Sequence, residues 1–145
     1  MLAGLVFFAA RSTKGIQRLS SAERALITMP DDVKDTLVGI LLGDAHIVRR
    51  SSTGNSRLVY GQTAVTHKAY FDYVFNIFLP FCAKDYTPQL RVVRDNRTKK
   101  IYSAISFTTM QLPCFNVFKE LFYDLNVKKV PYNIYDLLTP RGLAF

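Results

Sequence analysis

Apolar residues recur at helical spacing in three stretches of the chain. The first stretch, residues 37–45, follows Pro30, Asp31 and Asp32, and aspartates at a helix start bind free backbone amides and suit the positive end of the helix dipole. The second stretch begins at Thr66 and the third follows Pro113. In both, aromatic and aliphatic residues return every three or four positions, the period of one helix face. The sequence therefore predicts three helices that pack against a core.

Two pairs of strand-like segments separate these helices. Residues 46–50 and 57–63 are rich in β-branched and basic residues, and a Ser-, Gly- and Asn-containing turn lies between them. Residues 89–94 and 99–107 repeat the pattern around a turn at 95–98. Strand-like runs joined by short turn segments are typical of hairpins. The predicted order is αββαββα, an α+β fold with a four-stranded antiparallel sheet and helices behind it.

The first helix carries two glycines, Gly39 and Gly43, and is followed at its end by Asp44. Residues four apart share a helix face, so the glycines form a flat strip on which another helix backbone can pack closely. Each glycine costs roughly 1 kcal/mol relative to alanine inside a helix. A carboxylate at the C-terminal end opposes the helix dipole. We expect Asp44 on the packing side of the helix; the pattern alone is equally compatible with a solvated terminal acid.

This stretch resembles the LAGLIDADG motif of homing endonucleases. Leu37, Gly39 and Gly43 stand at its first, third and seventh places and Asp44 at its eighth, whereas Val38, Leu42 and Ala45 depart from the second, sixth and ninth. The resemblance covers about residues 31–145 and implies a saddle-shaped sheet. It also implies that the motif helices of two repeats pack together through Gly39 and Gly43. Each eighth-place acid would then bind a divalent metal such as Mg²⁺ for DNA cleavage.

The same resemblance implies further site residues. In the family, a polar residue on the second strand and a lysine after the third helix position water around the metals. Gln62 resembles the first, and either Lys128 or Lys129 resembles the second. The implied catalytic set is thus Asp44, Gln62, Lys128 and Lys129, with metal ligands from the Asp44 carboxylate and the Gly43 backbone carbonyl. The alternative is an exposed strand amide and solvated loop lysines.

The chain is basic, with 19 Lys and Arg residues against 11 Asp and Glu residues and a formal charge of +8. Such a balance favours a polyanionic partner. Cations occur on both hairpins, where they would reach DNA phosphates or guanine edges. Because strand side chains alternate between faces, Arg49 and Arg50 cannot share one face. The predicted DNA-contacting residues are His46, Arg49, Arg50, Arg57, Gln89, Arg91, Arg97, Lys99 and Ser103.

The N-terminal region and the cysteines bear on compartment. Residues 1–10 are apolar and too short to span a bilayer, and Arg11, Lys14 and Arg18 follow with no acid before Glu23. This pattern is compatible with an organellar targeting peptide, for which we expect a mitochondrion, or with leader residues translated from an upstream exon. The two cysteines fit neither a disulfide framework nor a zinc site. We predict an extension at residues 1–30, with a short helix capped by Ser20 and running to Ile27, and a repeat domain at 31–145.

Near residue 139 the sequence begins another helix, at Thr139 and Pro140. Leu143, Ala144 and Phe145 resemble the first three places of a second motif, and the eighth-place acid of that motif is absent from this sequence. One Asp44 cannot form a paired metal site. We therefore expect a second repeat in a longer protein; a homodimer and an inactive remnant are the alternatives.

The leading functional interpretation is an intron-encoded homing endonuclease that cuts double-stranded DNA with Mg²⁺. A maturase that binds intron RNA with the same fold is the first alternative. A metal-independent DNA-binding module is the second, and a basic structural protein such as a ribosomal one is the third. No membrane association is expected.

Overall fold

The computed structural model describes residues 19–143, without the side chains of residues 64–66, 141 and 143. Residues 1–18 of the predicted N-terminal extension lie outside this range. The match of Ala144 and Phe145 to a second motif lies outside it as well.

The helices predicted from the sequence occur in the predicted order, together with a short helix at residues 134–137 that was not predicted. They are α1 (Ser21–Ala25), α2 (Asp31–Leu41), α3 (Ala64–Phe78), α4 (Asn116–Phe122), α5 (Ile134–Leu137) and α6 (Pro140–Leu143). Helix α1 has the expected capping box, in which the Glu23 amide donates to Ser20 Oγ at 3.2 Å and the Ser20 amide donates to Glu23 Oε1 at 2.8 Å. It ends at Ala25, two residues before the predicted Ile27. In the described residues no helix is long and apolar enough to cross a bilayer.

Strands β1 (His46–Val48), β2 (Arg57–Thr63), β3 (Gln89–Arg94) and β4 (Ile101–Thr108) form one sheet. All neighbouring strands are antiparallel, and their order across the sheet is β1-β2-β4-β3. The predicted α+β fold is thereby confirmed. A second pair of strands, β5 (Tyr123–Asp124) and β6 (Val127–Lys128), forms a small hairpin that the sequence pattern did not predict.

The helices cover one face of the sheet through an aromatic core. Phe71 of α3 lies 5.9 Å from Tyr60 of β2 and 5.7 Å from Phe107 of β4 between ring centroids. All three rings are almost fully buried. Leu58 and Tyr60 of β2 point toward this core. Because side chains alternate along a strand, Val59 points to the opposite face together with its cross-strand partners His46 and Thr108. That face is the one available to a large ligand.

Helix α3 begins earlier than predicted and bends near its start. His67 has φ −118° and ψ 15°, which interrupts the helical backbone. The helix ends at Phe78, and Pro80 lies in a 3₁₀ turn at Leu79–Phe81, as expected for a residue without an amide hydrogen.

The motif helix α2 packs against α6. The Gly142 amide donates to Thr139 Oγ1 at 3.1 Å, so the helix begins at Thr139 and Pro140 as predicted. A Cβ atom on Gly142 would lie only 2.9 Å from the Asp35 carbonyl oxygen. Close approach of α6 to α2 therefore requires glycine at this position. Of the two seam glycines, Gly39 is buried and Gly43 is exposed.

The described part of the predicted extension, residues 19–30, packs against the rest of the chain. Arg24 Nη1 donates to the Gln111 carbonyl oxygen at 2.6 Å. Met29 is buried in the same core cluster as Leu37 and Leu41 of α2. These residues contribute to the core that supports the motif helix.

Candidate functional site

Asp44 lies in the tight turn between α2 and β1. Helix α2 ends at Leu41, and the amides of Gly43 and Ala45 both donate to the Ile40 carbonyl oxygen, at 3.0 Å and 3.1 Å. Because the helix ends three residues before Asp44, the side chain is exposed and not on the packed face of α2. The expectation that Asp44 faces the packing side is wrong for the described chain. Asp44 instead belongs to a hydrogen-bonded turn and is exposed to solvent.

Gln62 contacts this carboxylate directly. Its Nε2 atom donates to Asp44 Oδ2 at 2.8 Å and to the Tyr60 hydroxyl oxygen at 2.9 Å. Gln62 belongs to the same strand face as Tyr60, because the two residues are two apart on β2. With both amide hydrogens directed at oxygen atoms, the Gln62 carbonyl oxygen is left as the acceptor for another donor.

Lys128 reaches the same turn from β6. Its ammonium group donates to the Gly43 carbonyl oxygen at 3.0 Å and also to the Ala45 carbonyl oxygen. Burial lowers the pKa of Lys128, and the charge of Asp44 acts in the opposite direction. Residues 44, 62 and 128, distant in sequence, therefore meet at the end of the motif helix.

Lys129, the other candidate lysine, lies next to this cluster. It lines a shallow cleft of about 240 Å³ together with Leu42, Gly43 and Lys128. Its backbone amide donates to the Phe122 carbonyl oxygen at 2.7 Å. Within residues 19–143, the Asp44 turn receives its lysine hydrogen bonds from Lys128 and not from Lys129.

The oxygen atoms of this turn suit a hard cation such as Mg²⁺, which prefers carboxylate and carbonyl ligands. The Asp44 carboxylate is exposed and the Gly43 carbonyl is close to it in the same turn. In the part of the chain that the structure describes, no group of three or more His, Cys, Asp or Glu side chains can hold a metal. The residues present fit one side of a magnesium site, which water or a carboxylate from elsewhere would complete.

Four predicted DNA-contacting residues lie on the outer face of the sheet: His46, Arg57, Gln89 and Arg91. Residues that pair across neighbouring strands share a face of the sheet. His46 pairs with Val59 and Arg91 pairs with Ala104, and both partners stand next to buried, inward-pointing residues on their strands. Ser103 was expected on this face but pairs with Val92 and shares the helix side of β4 with buried Ile105 and Phe107. That prediction is wrong because Ser103 is an odd number of residues from the outward Ser106 and Thr108.

The remaining predicted contacts lie in the hairpin turns. Arg49 follows the end of β1, and its guanidinium donates to the carbonyl oxygens of Gly54 at 2.6 Å and Ser52 at 2.9 Å. Arg49 therefore stabilises its own loop. Arg50, Arg97 and Lys99 are exposed, with Lys99 in the left-handed region at φ 63°.

The two histidines differ in their surroundings. His46 lies one residue after Ala45 on the outer face, and burial, followed by the charge of Lys128, lowers its pKa. A lowered pKa favours the neutral imidazole at pH 7. His67 is exposed at the bend in α3.

Two site residues escaped the sequence prediction. Tyr60 holds the Gln62 amide, and its position two residues before Gln62 on a strand was the available signal. Tyr123 is opposite Lys128 in the β5–β6 hairpin. A strand of two residues is too short to show the alternation of side chains between two faces. The turn at Leu125 and Asn126 was the one local feature of the sequence that indicated this hairpin.

Comparison with known proteins identifies the family of the chain. Residues 34–145 match the model of the LAGLIDADG DNA endonuclease family. The chain belongs to this family. It is 30% identical over 125 residues to DNA endonuclease I-ChuI of Chlamydomonas applanata, a match that covers 82% of this chain and 57% of the relative. The chain thus spans little more than half the length of that protein.

The fold also matches a solved structure of a homing endonuclease. The homing endonuclease I-WcaI, bound to its DNA recognition sequence, superposes with a TM-score of 0.71 and 19% identity. The match covers 81% of this chain and 50% of that one. At this identity the likeness concerns the fold of the LAGLIDADG repeat.

Proposed function

We propose that this chain is one half of an intron-encoded homing endonuclease that binds double-stranded DNA and cleaves it with Mg²⁺. The observation that carries the proposal is the meeting of Asp44, Gln62 and Lys128 at the end of the motif helix. Family membership supports the reaction class, and the relative that matches by sequence is a DNA endonuclease.

The outer face of the sheet supports the choice of DNA as partner. Arg57 and Arg91 lie on this face with the polar side chains of Gln89, Ser106 and Thr108. The exposed cations of the two hairpin turns add positive charge next to this face. Arginines and lysines neutralise phosphates, while amides and hydroxyls bind base edges. The I-WcaI structure contains DNA, and we extend that role to this chain.

The chemistry divides among the three residues. Asp44 would hold Mg²⁺, which when bound activates water and neutralises charge on the phosphate. The Gly43 carbonyl oxygen accepts from Lys128 with one lone pair and would offer the other to the ion. Gln62 fixes the orientation of the Asp44 carboxylate and offers its carbonyl oxygen to a water molecule. The Lys128 ammonium supplies a positive charge next to the place where the phosphate oxygens would lie. Each residue contributes an interaction that the other two cannot provide.

The proposed metal site requires a second carboxylate. Asp44 is a single acid, and the relatives are nearly twice as long as the matched region. We infer that a second LAGLIDADG repeat in a longer protein provides it, and the packing of α6 on α2 supports this arrangement over a homodimer through Gly39 and Gly43. A mitochondrial location is proposed from the basic, acid-free residues 11–22.

Asp44→Asn tests the proposal in the full-length protein. We expect cleavage of the DNA target in Mg²⁺ to fall by at least about 10³-fold, with DNA affinity nearly unchanged. Asp85→Asn is the matched control, because Asp85 is exposed and its φ of 60° suits asparagine.

Other results would contradict the proposal. Full cleavage by Asp44→Asn would exclude this turn as the active site. Metal-independent binding without nicking by the unchanged protein would favour an inactive DNA-binding remnant. Splicing of intron RNA that survives Asp44→Asn, without DNA cleavage by either protein, would favour a maturase.

A further inference from the structure

The β5–β6 hairpin that carries Lys128 is closed by a two-residue turn. Its two central residues, Leu125 and Asn126, have φ values of 49° and 68°. Positive φ at both central positions is the geometry of a two-residue turn that matches the twist of the flanking strands. Tyr123 is the direct cross-strand partner of Lys128. Any contact that holds Tyr123 therefore also holds the backbone of Lys128.

Tyr123 joins this hairpin to the main sheet. Its hydroxyl oxygen accepts a hydrogen bond from the Ile47 amide at 2.9 Å. Strand β1 is at the edge of the sheet, and edge strands present amides that lack a strand partner. Ile47 is two residues after Ala45, whose carbonyl oxygen binds Lys128. The hairpin thus contacts the same short segment twice, once through Tyr123 and once through Lys128.

Lys119 of α4 holds the hairpin from its other side. Its Nζ atom lies 4.0 Å from the centroid of the Tyr123 ring. The same atom donates to Asn126 Oδ1 at 3.2 Å. A cation over an aromatic face is attracted to the ring, so Lys119 links α4 to both the tyrosine and the turn. Lys119 thus holds the ring and the turn, and the Ile47 amide holds the hydroxyl group.

We propose that Tyr123, supported by Lys119, is the positioning residue for Lys128 in the active site. A lysine side chain has several rotatable bonds and loses considerable conformational freedom when fixed. The hairpin fixes its backbone and directs the ammonium onto the Gly43 and Ala45 carbonyl oxygens. Tyr123 does not touch the reacting phosphate and acts through Lys128. This inference rests on the proposed role of Lys128 in cleavage.

Tyr123→Phe in the full-length protein tests the inference, since it removes only the hydroxyl group. We would measure the ε-carbon and ε-proton signals of Lys128 by NMR with labelled lysine, at one pH and with EDTA present. Lys128→Arg assigns the signal. We expect the Lys128 signal to move to the position of free surface lysines. In Mg²⁺, kcat should fall by about 10- to 100-fold, while KM for DNA stays within about twofold.

Two further variants complete the experiment. Tyr132→Phe is the matched control because Tyr132 is 98% exposed, and it should change neither the signal nor kcat. Asn126→Gly keeps the positive φ without strain and removes the acceptor for Lys119. It should move the Lys128 signal in the same direction and lower kcat by about two- to fivefold. Asn126→Gly also tests the inference if Tyr123→Phe fails to fold.

The outcomes separate this inference from the proposed function. An unchanged Lys128 signal in Tyr123→Phe would overturn the inference, even if kcat fell. A shifted signal in a protein whose unchanged form cleaves no DNA would support the positioning role and overturn the endonuclease proposal.

Discussion

The end of the motif helix and the outer face of the sheet are both polar and exposed, but they are organised differently. At the helix end, Asp44, Gln62 and Lys128 are linked by hydrogen bonds through one turn. On the sheet, Arg57 and Arg91 come from different strands, and the backbone register places both on the outer face. A linked cluster loses its function when one member is removed, whereas independent contacts lose only their own share. Substitutions should therefore have large effects at the first surface and small effects at the second.

After Asp44→Asn, the largest effect at the helix end is expected for Lys128→Met. Loss of the ammonium leaves the Gly43 and Ala45 carbonyl oxygens without their donor and removes positive charge from the site. Single-turnover cleavage should fall by about 100-fold, with DNA affinity changed little. Lys129→Met removes a charge from the same cleft, and we expect it to lower cleavage less than about threefold. Equal losses in the two variants would contradict the assignment of Lys128.

A smaller effect is expected for Arg91→Gln on the sheet. Arg91 lies on the outer face, so its loss should weaken DNA binding several-fold and reduce the slope of log affinity against log salt by about one. The cleavage rate of bound DNA should not change. Ser103→Ala, on the helix side of β4, is the control that should leave affinity unchanged. Weaker binding by Ser103→Ala would show that the faces of the sheet are assigned wrongly.

The sequence predicted the main frame of this fold because its helices and strands are long enough to show their periods. Asp44 was recognised from the glycine spacing and the motif. Gln62 came from the resemblance, and the structure supplies the geometry, because a hydrogen bond between residues 18 positions apart leaves no local pattern. The exposure of Asp44 was missed because the end of a helix depends on capping contacts within one or two residues.

The incorrect and missed predictions concern features that depend on the exact position of one residue. Ser103 was assigned to the wrong face because side chains alternate, so a shift of one position reverses their direction. The sequence left Lys128 and Lys129 as alternatives, because the strand that carries Lys128 has only two residues. Tyr123 was missed since its role depends on an amide of a distant strand.

Mn²⁺ binding to the protein is the most direct test of the central claim, which is that the turn at Asp44 binds a metal ion. Paramagnetic Mn²⁺, added as a probe, should broaden the amide signals of residues 43–45 and the side-chain amide signal of Gln62 before other signals. Asp44→Asn should abolish this broadening. Broadening that persists in Asp44→Asn, or that centres on the acids at residues 31–35, would contradict the account.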